Sequence, residues 1–201
     1  MRRPSALAAL LALFAASACD GLAVPTAGVE YRPEQAGTVD HAMCLLGFSA
    51  VPVRQLVTGH QLVDGELNGR PASFVLDTGA NVSVVHGSHA EEFGLTPQRG
   101  ITGAAVGLGG ALQATRAGVE GLRIGEVDLR QRHVMVADLS QLESSLGRLT
   151  RSPIHGIVGQ DVLRAHRAVI DVSRPMLYLR QENSAPAPVP AERCQGEGAG
   201  G

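Results

Sequence analysis

Residues 73–85 of this chain read SFVLDTGANVSVV, and this stretch decides how the rest of the sequence is interpreted. Asp77 stands between two apolar segments, residues 74–76 and 82–85, which have the composition of strands. An unpaired carboxylate at the end of a buried strand costs several kcal/mol of desolvation or has its pKa raised. This stretch alone leaves two interpretations open: a turn in which Asp77 bonds to its own backbone beside Gly79, or a functional acid.

A second motif, Ile157-Val158-Gly159, lies downstream of the first. Residues 160–163 after it predict the start of a short helix, and residues 169–179 predict strand, turn and strand. The two motifs in this order resemble those of the retropepsin-like aspartic peptidases, in which the second motif forms the strand that passes beneath the catalytic loop. The resemblance covers about residues 56–181.

By this resemblance Asp77 is the catalytic carboxylate, Thr78 braces the loop of a partner subunit, and Gly79 lets the backbone approach the substrate. Such catalysis needs two carboxylates, since one acts as a base on water while the other, protonated, polarises the scissile carbonyl. The sequence has a single Asp-Thr-Gly, because residues 171–173 lack the glycine and residues 64–65 lack the hydroxyl residue. The resemblance therefore implies a homodimer in which the partner supplies a second Asp77.

The resemblance also implies which residues contact the substrate and which support the loop. Residues 102–110 are glycine-rich and stand where the family has a mobile flap, although a hairpin without function remains an alternative. The predicted substrate-binding residues are Ala80, Asn81, Gly107, Leu108 and Gly109. The predicted supports are Ile157, Val158, Gly159 and Gln160.

Two positions depart from the retroviral members, which carry an Asp after the loop alanine and an Arg after the second-motif glycine. This chain has Asn81 and Gln160 there. An amide pair in place of an ion pair keeps the support but alters the edge that faces the substrate. The sequence thus favours an aspartic endopeptidase acting on an extended polypeptide. The alternative is a catalytically inactive peptide- or partner-binding module with the same fold.

The middle of the chain predicts an all-β domain, a retropepsin-like acid-protease closed barrel with short helices and a flap hairpin. Strands are predicted at residues 61–63, 72–76, 82–85, 118–124, 127–136, 168–172 and 176–179. Short helices are predicted at residues 88–93, 140–149 and 161–166. The predicted division is a signal peptide at residues 1–18, a spacer and N-terminal extension at 19–55, the peptidase domain at 56–181, and a disordered tail at 182–201.

The N-terminus has the layout of a secretory signal, with Arg2 and Arg3, an uncharged apolar run at residues 6–16, and small residues before Cys19. The run is too short to span a bilayer. The small residues resemble a bacterial lipoprotein processing site, which predicts lipidation at Cys19, and simple cleavage near Ala18 is the alternative. Either outcome predicts export to the periplasm or cell envelope, with membrane contact only through a lipid anchor.

Cysteine, histidine and charge content narrow the remaining classes of function. Removing Cys19 leaves Cys44 and Cys194, for which a disulfide and two free thiols both remain open. His86 and His89 lack an HExxH motif or a third ligand, so we expect neither a metal nor a cofactor. The formal net charge of −2 gives no basic field for nucleic acid, and the absence of lysine excludes lysine-based catalysis.

Overall fold

The structure, a computed structural model, describes residues 29–107, 110–150, 152–181 and 194. The described α-helices are α1 (Val39–Leu45), α2 (Ser140–Leu146) and α3 (Gln160–Ala165), and 3-10 turns lie at Gly87–His89 and Gly147–Leu149. The described strands are β1 (Ser49–Pro52), β2 (Arg54–Gln55), β3 (Gln61–Leu67), β4 (Arg70–Leu76), β5 (Val84–His86), β6 (Pro97–Gly107), β7 (Gly110–Gly118), β8 (Leu122–Ile124), β9 (Val127–Leu129), β10 (His133–Ala137), β11 (Gly156–Val158), β12 (Val169–Asp171) and β13 (Met176–Leu179). Within these residues, no helix has the length and apolarity needed to cross a membrane.

Ten strands form one sheet in the order β6-β7-β10-β5-β11-β4-β3-β8-β9, with β2 paired to β3. At its centre β11 lies between β4 and β5, parallel to β4 and antiparallel to β5. β4 is buried over residues 72–75 without alternation, as its continuous apolar run predicts for a central strand. Because β4 and β5 are consecutive strands on either side of β11, the turn that joins them crosses the C-terminal end of β11. That turn begins with Asp77.

The all-β class is confirmed, but the closed barrel predicted from the sequence is wrong, because the sheet of described strands is open. Its edges are β6 and β9, which would have to pair with each other for closure. β9 has only three residues and pairs with β8, and β6 pairs with β7 at Pro97 and from Thr102 to Gly107. The two edges belong to separate hairpins, and the ladder that would join them is missing from the described part of the chain.

The element bounds differ from the sequence prediction mainly between residues 88 and 137. The predicted strands 118–124 and 127–136 are instead parts of β7, β8, β9 and β10. The β8–β9 turn contains Gly125 at a φ of 56°, a left-handed conformation that favours glycine. The helix predicted at 88–93 is wrong, since only a 3-10 turn forms at Gly87–His89. The helices predicted at 140–149 and 161–166 are confirmed as α2 and α3, with shorter bounds.

A second sheet, in the order β1-β13-β12, fastens the N-terminal segment to the end of the domain. Asp40 of α1 is 2% exposed and accepts hydrogen bonds from Tyr178 Oη at 2.5 Å and from Arg174 Nη2 at 2.8 Å. A disulfide joins Cys44 of α1 to Cys194. The structure therefore packs part of the predicted N-terminal extension against β13.

The main apolar core joins the two sheets. It includes Val51 and Leu177 from the small sheet, and Phe74 and Ile124 from the large one. Phe93, in the turn that follows β5, is 1% exposed in the same core. Burial of each such side chain is worth about 1.5–3 kcal/mol relative to exposure, so this core holds the small sheet firmly against the strands that carry the Asp77 turn.

Candidate active site

Asp77 directly follows β4 and is held by the turn that it begins. Its N–H donates to Val158 O at 3.1 Å, which extends the pairing of β4 with β11 by one residue. Its carboxylate accepts the N–H of Gly79 at 2.8 Å, and its carbonyl accepts the N–H of Ala80 at 3.1 Å. Asp77 is only 6% exposed. The turn expected from the simpler interpretation is therefore present, and it fixes a buried carboxylate in place.

The second motif lies under this turn at very short range. A Cβ built on Gly159 would stand 2.5 Å from Val82 O and 3.0 Å from Ala80 O, closer than real side chains approach a carbonyl. Only glycine allows the backbone of the turn to rest on the chain there. The structure thus brings Val158 and Gly159, predicted as supports, into contact with the Asp77 turn.

Gln160 supports the turn at two further points. Its backbone N–H donates to Ala80 O at 2.8 Å, and its side-chain Nε2 donates to Thr78 O at 2.6 Å. The Gln160 side chain therefore bonds to the backbone of the Asp77-Thr78-Gly79 triplet. Ile157, the remaining predicted support, pairs with Val75 and Val84 within the sheet.

The exposed side of the turn consists of Thr78, Gly79 and Asn81. Ala80 differs from these residues, because it is 3% exposed and both its N–H and its carbonyl bond within the chain. Thr78, Gly79 and Asn81 therefore lie at the surface of the single chain. The side chain of Ala80 faces the interior.

The predicted flap is the tip of a long hairpin formed by β6 and β7, whose pairing runs to Gly107 opposite Gly110. Leu108 and Gly109 lie outside the described residues. In the half of the hairpin nearer its tip, Ala105 and Ala114 pack in one apolar cluster with Val84, and Val82 and Ile157 border that cluster. This part of the hairpin therefore packs against the turn and the strands that support Asp77.

Ser83 and Asp161 connect the end of the turn to α3, and neither was among the site residues predicted from the sequence. Ser83 Oγ accepts the N–H of Gly159 at 3.0 Å and donates to Asp161 Oδ1 at 2.7 Å. Asp161 Oδ2 also accepts Gln131 Nε2 at 2.9 Å. The sequence does show that Asp161 lies in the first turn of the predicted helix, where an acid is favourable. It does not show the bond to Ser83, because the two residues are 78 apart in sequence.

A group of three side chains at the opposite end of β5 and β11 was also missed. Potential ligand atoms of His89, Glu92 and His155 lie within 4.8 Å of one another. His89 Nδ1 bonds to Glu92 Oε2 at 3.0 Å, and His155 Nδ1 accepts the N–H of Ser73 at 2.9 Å. A metal-bound histidine normally donates from its other ring nitrogen, whereas His155 accepts there, so its neutral ring carries the proton on Nε2. The group therefore does not fit a metal.

The surroundings of His155 favour its neutral ring. Burial lowers the pKa of His155, and the neighbouring His89 lowers it further, while Glu92 and Asp64 act in the opposite direction.

Two shallow depressions on the described surface, one beside the β8–β9 hairpin and one at the end of α2, do not include Asp77. Asp77 is the candidate for the chemistry because, among the described residues, its turn joins a buried acid to the second motif.

Comparisons with known proteins match the region of the chain that contains the two motifs. Residues 63–162 match a family model described as aspartyl protease, a span that contains both motifs. A similar solved structure is a retropepsin-like aspartic protease from Rickettsia conorii, with 17% identity and a TM-score of 0.43 over 67% of this chain and 90% of that one. The EIAV protease complexed with an inhibitor is also similar, with 21% identity and a TM-score of 0.36 over 54% of this chain and 88% of that one. No curated protein matches the chain significantly.

Proposed function

We propose that this retropepsin-like aspartic protease is a homodimeric endopeptidase in which the two protomers each contribute Asp77. The observation that carries the proposal is that hydrogen bonds hold the Asp77 turn against the end of β11. The turn is bonded to Val158 O, to the backbone of Gln160 and to the side chain of Gln160. Such support holds a buried carboxylate in one geometry, as a catalytic acid or base requires.

Two copies are proposed because one chain carries one Asp-Thr-Gly. An isologous interface would place the two Asp77 turns on either side of a two-fold axis. Thr78 and Gly79 are exposed in the single chain and would lie at that interface. Two carboxylates in close contact share one proton, which provides the base and the acid at the same time.

The proposed reaction consumes one water and breaks one peptide bond. The ionised Asp77 takes a proton from water, whose oxygen attacks the scissile carbonyl carbon, while the protonated Asp77 of the second copy donates its proton to the carbonyl oxygen. The tetrahedral intermediate then collapses as a proton passes to the amide nitrogen, the C–N bond breaks, and an acid and an amine leave. The dyad ends with the single shared proton that it had at the start.

We propose that the substrate is an extended polypeptide bound as an added strand beside the β6–β7 hairpin. The predicted flap residues Gly107, Leu108 and Gly109 would close over it, and Asn81 would contact it from the turn. A neutral Asn81 offers both a donor and an acceptor, so the substrate edge would not demand a charged partner. An inactive peptide-binding module is the second candidate, favoured by the neutral Asn81 and Gln160.

Residues 1–28 lie outside the described residues, and with them the predicted signal peptide and Cys19. We propose on their sequence that the protein is exported to the periplasm or cell envelope, with a lipid anchor at Cys19. The Cys44–Cys194 disulfide supports the proposal, since disulfides persist in oxidising compartments. Labelling of cells with a radioactive fatty acid tests the anchor: a Cys19→Ala protein should lose the label that the wild type carries.

Cleavage of a peptide library tests the proposed activity. Wild type, Asp77→Asn and the control Asp171→Asn are compared, the control altering an acid of the β12–β13 turn. The proposal predicts turnover by wild type and Asp171→Asn and a loss of about 1,000-fold or more in Asp77→Asn. Equal turnover by Asp77→Asn would contradict it. Peptide binding without turnover by a folded, dimeric wild type would favour the binding module instead.

A further inference from the structure

The turn that carries Asp77 is fastened at its two ends in different ways. At its start the fastening is a backbone bond, from Asp77 N to Val158 O. At its end the fastening runs through the side chain of Ser83, which is 3% exposed. Ser83 Oγ accepts the N–H of Gly159, and Ser83 O accepts the N–H of Met135 at 3.1 Å. One buried serine thus joins the end of the turn to the second motif and to β10.

The carboxylate of Asp161 sets the direction of the Ser83 hydroxyl. Asp161 Oδ1 accepts from Ser83 Oγ at 2.7 Å and from Val162 N at 2.8 Å, and Oδ2 accepts from Gln131 Nε2 at 2.9 Å. Because the hydroxyl hydrogen is directed at Asp161, the oxygen lone pairs remain to accept from Gly159. Hydrogen bonds to an ionised group are roughly twice as strong as neutral ones, so the carboxylate holds the hydroxyl firmly.

Gly159 transmits this fastening to the catalytic triplet. It lies so close to the carbonyls of Val82 and Ala80 that it cannot move toward the turn without displacing it. Gln160, the next residue, bonds to the backbone of Ala80 and Thr78. A shift of Gly159 would therefore move the turn, and a displacement of about 1 Å in a catalytic group can cost about 100-fold in rate.

We propose that Ser83 and Asp161 form a positioning pair that holds the Asp77 turn on β11 in its reactive geometry. The inference rests on the proposed peptidase function and extends it to two residues outside the Asp-Thr-Gly triplet. Neither residue touches the reacting atoms. Ser83 acts through Gly159, and Asp161 acts through Ser83.

The test compares Ser83→Ala, Ser83→Thr, Asp161→Ala and the matched control Ser173→Ala in the full-length chain. Ser173 Oγ donates to Asp171 Oδ1 at 2.7 Å in the exposed β12–β13 turn, so its removal deletes the same kind of bond away from Asp77. We expect kcat to fall about 10- to 100-fold in Ser83→Ala and Asp161→Ala, with KM within about twofold of wild type. Ser83→Thr keeps the hydroxyl and should recover most of kcat, and Ser173→Ala should match wild type.

Hydrogen–deuterium exchange of the backbone amides of residues 77–83 and of Gly159 provides a readout that does not need turnover. Ser83→Ala should exchange faster than wild type in these residues, while Ser173→Ala should not. A wild-type kcat in folded Ser83→Ala would overturn the proposal, as would unchanged exchange. If wild type itself shows no turnover, the peptidase function fails, and the exchange result alone decides whether the pair holds the turn.

Discussion

Gly159 lies against Val82 so closely that a Cβ built on Gly159 would stand 2.5 Å from Val82 O. The φ of −103° and ψ of −171° at Gly159 are extended backbone that any residue adopts, so the glycine is required by contact and not by its dihedral angles. This contact is where the second sequence motif meets the first. It explains in steric terms why the two motifs occur together in one chain.

Gly159→Ala should therefore displace the Asp77 turn. Because the neighbouring atoms are backbone, they cannot rotate away, and we expect a loss of about 1–3 kcal/mol in the free energy of unfolding together with a large loss of peptidase activity. Denaturant unfolding and peptide turnover measure the two effects. Gly118→Ala is the control, since nothing lies within 4 Å of a Cβ at Gly118. A Gly159→Ala protein with wild-type stability and activity would refute the contact.

Reduction of the Cys44–Cys194 disulfide should destabilise the fold. The bond joins residues 150 apart in sequence, and in the chain-entropy description a loop of that size contributes about 4–5 kcal/mol. We expect a reducing agent to lower the denaturant midpoint of wild type by an amount that matches the Cys44→Ser, Cys194→Ser double variant. The double variant should not respond to the reducing agent. Equal midpoints for oxidised and reduced wild type would show that the bond contributes nothing.

His155 should make the fold less stable in mild acid. Burial and the neighbouring His89 lower the pKa of His155, so the unfolded chain binds the proton before the folded one does. The stability that neutral His155 gives the fold is complete above about pH 6.5, which is the pKa of histidine in the unfolded chain. This stability falls as the pH drops toward the pKa of His155 in the folded chain, by at most about 1.4 kcal/mol per pH unit. His155→Asn keeps an acceptor for Ser73 and does not titrate, so its unfolding free energy should depend less on pH below about pH 6.5.

The control for this measurement is Val57→Ala, which changes an exposed side chain and removes no titratable group. Its pH dependence should follow that of wild type. An equally steep loss of stability in His155→Asn would assign the acid sensitivity to other groups.

Asp40 should contribute stability that acid removes. Burial alone would raise the pKa of Asp40, but the hydrogen bonds from Arg174 and Tyr178 hold it below its usual value. This contribution is present above about pH 4 and is lost as the pH falls through the folded pKa. Asp40→Asn should lower the free energy of unfolding at neutral pH by about 2 kcal/mol, and its difference from wild type should shrink below about pH 4. A constant difference at all pH values would contradict the assignment.

The central strands and the turn were predictable because local sequence dictates them. The apolar run before Asp77 has no polar alternation, which indicates a strand buried on both faces, and β4 is one. The short motif at 157–159 predicted a strand beneath the turn by resemblance, and β11 lies there. Both features depend on a few adjacent residues.

The remaining features depend on contacts between residues far apart in sequence. The bond from Ser83 to Asp161 spans 78 residues, and that from Ser73 to His155 spans 82. The open sheet follows from how two hairpins lie relative to each other, which no local pattern encodes. The long β6–β7 hairpin is rich in glycine and alanine, so its apolar and polar residues alternate only weakly. Most of the two strands was therefore not predicted from the sequence.

The most direct test of the shared dyad is a mixing experiment in which wild type and Asp77→Asn are unfolded and refolded together. If each active site needs one Asp77 from each of two copies, random pairing with a tenfold excess of Asp77→Asn should reduce the activity per wild-type chain to about one-tenth. The same excess of Asp171→Asn should not reduce it. Activity per wild-type chain that stays constant as Asp77→Asn is added would show that a single chain carries out catalysis, and would contradict the two-copy site.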